Sequence, residues 1–204
     1  MRLSTMLWPL VAAAAVLWLV ARNAAAAPQP MLLPTHDMVG IYRVTPSGRS
    51  SMTWRVQYSA EFKRVRMTSL GGGALGTVIL LDLRRLTAEM IIPQMHAVVS
   101  IPGIAVAMQH ALAGKGLRFT ALGQKMIAGH RCTRYLVLRR SAEGTACLTS
   151  DGVLLGGEGT DAQGSVQVVA LRVREAVQPP NLFRPPSGYS RINLPPELLP
   201  RLMD

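Results

Sequence analysis

The chain has 204 residues, 49% of them hydrophobic and 16% charged, enough apolar material for one sizeable core and too short for two comfortable domains. Its 22 Lys and Arg outnumber 11 Asp and Glu, giving a net charge of +11. No basic stretch is interleaved with aromatics or set in a known reader motif, so nucleic acid is excluded as the partner of that charge. An anionic membrane surface or lipid headgroup is one reading. The other is genome composition, since 19 of the 22 basic residues are Arg.

Met1 to Ala26 reads as a cleavable secretory signal peptide. Arg2 supplies a basic start, Leu7 to Val20 an apolar run broken by Pro9, and Ala24-Ala25-Ala26 a small-residue cleavage box. The apolar run is shorter than the roughly 20 residues a membrane span needs, and no cysteine lies there for lipid attachment. The expected product is therefore periplasmic. Residues 27–36, rich in proline, form an extended N-terminal segment ahead of a sheet domain over 37–177.

That domain opens with a strand from Asp37 to Thr45 and a turn at Pro46-Ser47-Gly48. In Ser51 to Ser59, Met52, Trp54, Val56 and Tyr58 alternate with Thr53, Arg55 and Gln57, the period of a half-buried antiparallel strand. Lys63 to Ser69 repeats the pattern, with Val65 and Met67 opposed to Arg64 and Arg66. Gly71-Gly72-Gly73 precedes a strand at Thr77 to Leu83. A turn at Asp82 to Thr87 follows, then strands at Ala88 to Ile92 and His96 to Ile101, punctuated by Pro93.

At Pro102 the period becomes helical. Ile104, Met108 and Leu112 recur every four residues, predicting a short helix over Pro102 to Ala113 that packs on a sheet face. Strands resume at Leu117 to Lys125, Cys132 to Arg139, Thr145 to Thr149, Val153 to Gly157 and Ser165 to Val177. Ala128-Gly129, Glu143-Gly144, Asp151-Gly152 and Ala162-Gln163-Gly164 mark the turns. Residues 178–204 are a proline-rich tail running over the domain, with Leu182, Phe183 and Tyr189 as anchors.

Cys132 and Cys147, an even count in an exported chain, predict a disulfide. The four histidines have no metal-ligand spacing, and the sequence lacks a nucleophile elbow, HExxH, a phosphate loop and a dinucleotide fingerprint. We therefore expect neither an enzyme, nor a metal site, nor a cofactor. Several strands are apolar on both faces: Val78 and Leu80 oppose Ile79 and Leu81, and Val166 and Val168 oppose Val169, Leu171 and Val173. A flat one-sided sheet has no use for this surplus, so the sheet is covered on both sides or curls around an interior.

Three stretches carry a family likeness: Met126-Ile127-Ala128-Gly129-His130-Arg131-Cys132-Thr133, Cys147-Leu148-Thr149-Ser150-Asp151-Gly152-Val153, and Asn181-Leu182-Phe183-Arg184-Pro185-Pro186-Ser187-Gly188-Tyr189. With the opening strand, they resemble an uncharacterised family of exported bacterial proteins similar to the outer-membrane lipoprotein carrier (LolA-like) group. The resemblance spans about residues 36 to 190. It implies a mainly β half-barrel whose concave apolar side is lidded by short helices and, in the carriers, takes up acyl chains.

Taken with the strand count, the resemblance implies a strongly curved antiparallel sheet or half-barrel of about ten or eleven strands with one or two short helices on its concave face; the site residues come from the strand patterns alone. A lipid or other apolar ligand would lie against a wall of Trp54, Val56, Tyr58, Val65, Met67 and Met108. Arg55, Arg64 and Arg66 would stand at the rim, facing an anionic headgroup. The alternative is an envelope interaction module without a ligand pocket, docking an envelope protein or an anionic membrane surface.

Overall fold

One hydrogen-bonded sheet of twelve strands organises the computed structural model, which describes residues 29–71, 76–101, 104, 116–139, 142–161 and 164–192. The strands are β1 (Met38–Pro46), β2 (Met52–Ser59), β3 (Arg64–Ser69), β4 (Val78–Asp82), β5 (Thr87–Ile92), β6 (Ala97–Ser100), β7 (Arg118–Ile127), β8 (His130–Arg139), β9 (Ala142–Leu148), β10 (Leu154–Asp161), β11 (Gly164–Glu175) and β12 (Ser190–Ile192). Their spatial order, β12-β6-β5-β4-β3-β2-β1-β11-β10-β9-β8-β7, resolves into two antiparallel meanders, β1–β6 and β7–β11, joined where β1 pairs with β11. The sheet is open, with β12 and β7 at its edges.

The count exceeds the expected ten or eleven because of β12. Only three residues long, it runs parallel to β6, pairing Ser190 with Ala97 and Ile192 with Val99. A run so short in a proline-rich tail shows no alternation. The signal peptide and most of the predicted helix, all of it but Ile104, lie outside the described residues, as does the end of the tail. The described residues also contain two 3₁₀ turns, Pro93–Met95 and Pro180–Phe183.

Period-two patterning decides the β1–β6 half. Register places Met38, Gly40 and Tyr42 of β1 opposite Tyr58, Val56 and Trp54 of β2. These in turn stand opposite Val65, Met67 and Ser69 of β3. The same face continues through Leu81 and Ile79, Ala88 and Met90, and Val99. Met38, Tyr42, Tyr58, Val65, Leu81, Ala88, Met90 and Val99 belong to the main core cluster, in which Ile104 also packs. On the other face of β4–β6, Val78, Leu80, Ile91 and Val98 form a second buried cluster covered by Tyr189 of the tail. The two-faced apolar pattern of β4 thus corresponds to two covered faces.

β11 behaves differently. Val168 and Val173 pack on the main core, while Val166 and Leu171 are 41% and 42% exposed. A bulge opposite Ile41 and Tyr42 takes Leu171 out of register, and Val166, on the same side as Val168, lies near the start of the strand opposite Pro46.

The β7–β11 half curls. In the sheet order β9 and β10 stand between β8 and β11, a separation of roughly 14 Å if the sheet were flat. Yet His130 Nε2 on β8 is 3.0 Å from the Val173 carbonyl oxygen on β11, a gap no histidine side chain spans across a flat sheet. Ile127 of β7 likewise reaches Gly156 of β10, where a Cβ would lie 3.1 Å from its Cδ1. The β7–β8 turn is the predicted Ala128-Gly129 pair, with φ of 51° and 81°, values a two-residue hairpin of this hand requires.

Two expectations are settled at β8 and β9. Glu143 and Gly144, expected in a turn, lie within β9, paired with Leu138 and Val137. Glycine is needed at 144 for close approach, since a Cβ there would lie 2.2 Å from the Glu158 carbonyl oxygen. The predicted disulfide is present: Cys132 and Cys147 are bonded, Cα to Cα 5.3 Å. Register runs unbroken, with Thr133 opposite Leu148 and Arg134 opposite Cys147, so the cysteines are diagonal neighbours on one face.

Candidate functional site

Five of the six predicted wall residues, Trp54, Val56, Tyr58, Val65 and Met67, share the core face of β2 and β3, because alternation in each strand and the Tyr58–Val65 and Val56–Met67 pairings bring them together. Met108 lies outside the described residues. Tyr58 and Val65 are buried, and Trp54, Val56 and Met67 are half-buried beside them. Among the described residues the Tyr58 hydroxyl has no hydrogen-bond partner. Burial raises its pKa, as does Asp37, against a smaller lowering by Arg84.

Tyr42 was not singled out from the sequence, though its alternation with Met38 and Gly40 was visible. It extends the same face, and burial pushes its pKa up to about 12. Its ring lies over Gly40, where a Cβ would be 2.5 Å from Tyr42 Cε2.

The three arginines expected at the rim stand on the opposite face, since each alternates with a wall residue. Arg64 Nε donates to Asp82 Oδ2 at 3.0 Å. Arg66 Nη1 donates to the Leu182 carbonyl at 2.9 Å, and burial lowers its pKa. Both therefore hold structure: Arg64 ties β3 to β4, and Arg66 ties β3 to the tail. Arg55 instead lines a cleft of about 410 Å³ with Arg172 and Arg174 of β11, over Val39, Ile41 and Leu182. Sequence reasoning missed Arg172 and Arg174, whose only signal was their i, i+2 spacing. Among the described residues, no three His, Cys, Asp or Glu side chains group to hold a metal ion.

No family model matches the chain, and no curated protein matches it. Solved structures do. An uncharacterized conserved protein from Thermus thermophilus superposes with a TM-score of 0.57 at 11% identity, covering 78% of this chain and 91% of that one. The Pseudomonas aeruginosa MucA/MucB complex matches with a TM-score of 0.52 at 14% identity, over 78% of this chain. The likeness is one of fold. The matched region is 62% of the chain in that complex. The matches also include a LolA superfamily protein, NE2245 from Nitrosomonas europaea, with a TM-score of 0.41 at 10% identity, covering 76% of this chain and 92% of that one.

Proposed function

We propose that this protein is a non-catalytic, exported envelope protein that takes a lipid acyl chain or similar apolar ligand against the core face of β1–β3. The observation that carries the reading is the composition of that face. Val56 and Met67 are only half-buried against the main core cluster, Trp54 is half-buried on the same face, and the Tyr58 hydroxyl beside them is buried without a partner among the described residues. A buried hydroxyl left unpaired costs about 1–3 kcal/mol, which a ligand carrying an acceptor would recover. Each CH₂ removed from water contributes about 0.8 kcal/mol.

Purified protein carrying Val56→Arg and the unaltered protein are extracted and their lipids compared by mass spectrometry. Stoichiometric lipid with the unaltered protein, lost in the variant, is the expected result. No lipid in repeated preparations, with no fluorescence change on adding fatty acid or phospholipid, removes the reading.

A second reading is favoured by the β7–β8 hairpin. β7 has no strand on its outer side among the described residues, and Leu122 and Met126 are 48% and 58% exposed. A free edge with exposed apolar side chains invites an added strand from a partner, and the structurally similar MucB is known in a complex with MucA. Cross-linking in intact cells separates the two readings: a specific protein adduct that survives Val56→Arg supports the module.

A further inference from the structure

The face opposite the wall residues carries arginines whose side chains have no hydrogen bond or ion pair among the described residues. Arg55 and Arg172 both pair with Ile41, one from each side of β1, so their Cα atoms stand two strand spacings, roughly 10 Å, apart on one face. Arg174 pairs with Val39 one step along the same row, and Arg43 lies two residues beyond Ile41 on the same side of β1. All four side chains are exposed, and none has a hydrogen bond or ion pair within the described residues. Three of them line the 410 Å³ cleft, whose floor is Val39, Ile41 and Leu182 and whose lining includes no carboxylate. Asp37, the acidic residue just ahead of β1, is occupied by the amides of Ala60 and Gln178. At the lip of the cleft, Val177 is 89% exposed.

Four like charges held together without counter-charge are a cost to the folded protein unless something anionic meets them. The arginines extend past the cleft along β1, so a single small anion leaves Arg43 unmatched. A bare valine beside guanidinium groups gains nothing from an acidic polypeptide in water. In the headgroup layer of a bilayer, however, the arginines reach phosphates while Val177 enters the apolar boundary.

We propose that this face of β11, β1 and β2 docks the protein on an anionic phospholipid membrane, with Arg43, Arg55, Arg172 and Arg174 on the phosphates and Val177 inserted. The site is separate from the core face, so this inference stands or falls independently of lipid carriage there.

The test is flotation of the purified protein with vesicles of phosphatidylcholine, alone or mixed with phosphatidylglycerol. Binding is expected only to the mixed vesicles and weakens with salt. Each arginine near an anionic surface is worth about fivefold in partition, so Arg55→Gln/Arg172→Gln/Arg174→Gln lowers binding on the order of a hundredfold. Val177→Ser lowers it a further few-fold. Among the described residues these side chains have no hydrogen-bond or ion-pair partner, so the variants melt no lower than the native protein. Arg118→Gln/Arg139→Gln, on the exposed hairpin β7–β8, removes charge elsewhere and changes binding less than twofold for each arginine removed.

An equal loss per arginine in that control reduces the effect to net charge and overturns the proposal. So does absence of binding to the mixed vesicles. Displacement from vesicles by inorganic phosphate assigns a small-anion site instead, and tighter binding to polyglutamate than to vesicles assigns an acidic protein partner; either overturns the membrane assignment.

Discussion

Gly152 is fixed by what sits against it. Its φ is +88°, and a Cβ there would stand 2.2 Å from the Leu33 carbonyl oxygen and 3.2 Å from Met31 Cβ. The N-terminal segment therefore lies directly on the 149–153 turn, where Thr35 donates its amide to the Asp151 carbonyl and His36 sits between Asp151 and Glu175. Gly129 has a similar φ of +81° but open space around it. Gly129→Ala should then cost only the backbone strain, about 1 kcal/mol, whereas Gly152→Ala adds a backbone clash and should cost about 3 kcal/mol. Denaturant melts of the two variants check this, and equal losses would mean that the segment does not press on the turn. The sequence marked both glycines as turn formers and could not separate them, because the difference lies in a chain segment more than a hundred positions away.

Among elements, the β4–β5 turn and the disulfide each make a measurable demand. Asp82 is mostly buried, which by itself raises its pKa. The amides of Arg85 and Arg84 and the Arg64 guanidinium outweigh that and hold the carboxyl below its ordinary value. With the folded pKa below the unfolded one, its stabilisation is present above about pH 4 and lost as pH falls through the folded value. Stability measured from about pH 5 downward should thus fall less steeply in Asp82→Asn than in the unaltered protein.

The bond between Cys132 and Cys147 closes a 15-residue separation, worth about 3 kcal/mol in the chain-entropy account. Both sulfurs are buried. Alkylation without reductant should label neither cysteine, and Cys132→Ala/Cys147→Ala should lose stability of that order in denaturant melts. The pairing was legible because the chain holds two cysteines, an even count in a chain expected to be exported. Their diagonal placement was not, since it depends on register, and register here follows from a strand that begins at Ala142, before the Glu143-Gly144 pair that reads as a turn.

At the scale of the whole molecule, most of the sheet's strand pairings were open to reading from the sequence in principle, because they join neighbours along the chain. The short β6–β12 pair and the seam between β1 and β11 were not. The seam unites the two meanders across the length of the domain, and contacts of such separation form after local hairpins, because the loop they close must be ordered first. Ala170→Gly, at a buried seam position opposite Tyr42, should therefore lose about 1 kcal/mol mainly through faster unfolding. Val65→Ala, in the local β2–β3 pair, should slow folding instead. Stopped-flow traces against denaturant distinguish the two limbs.

The sequence by itself determined the alternation of each strand, and with it the shared face of Trp54, Val56, Tyr58, Val65 and Met67, because the period of a strand is a local property of the backbone. It also determined the partners of the disulfide. Only the tertiary structure decided that Arg64 and Arg66 are spent on Asp82 and the tail, while Arg55 joins Arg172 and Arg174 in a cluster unpaired among the described residues. The cluster depends on the seam, which brings together residues that no local pattern relates.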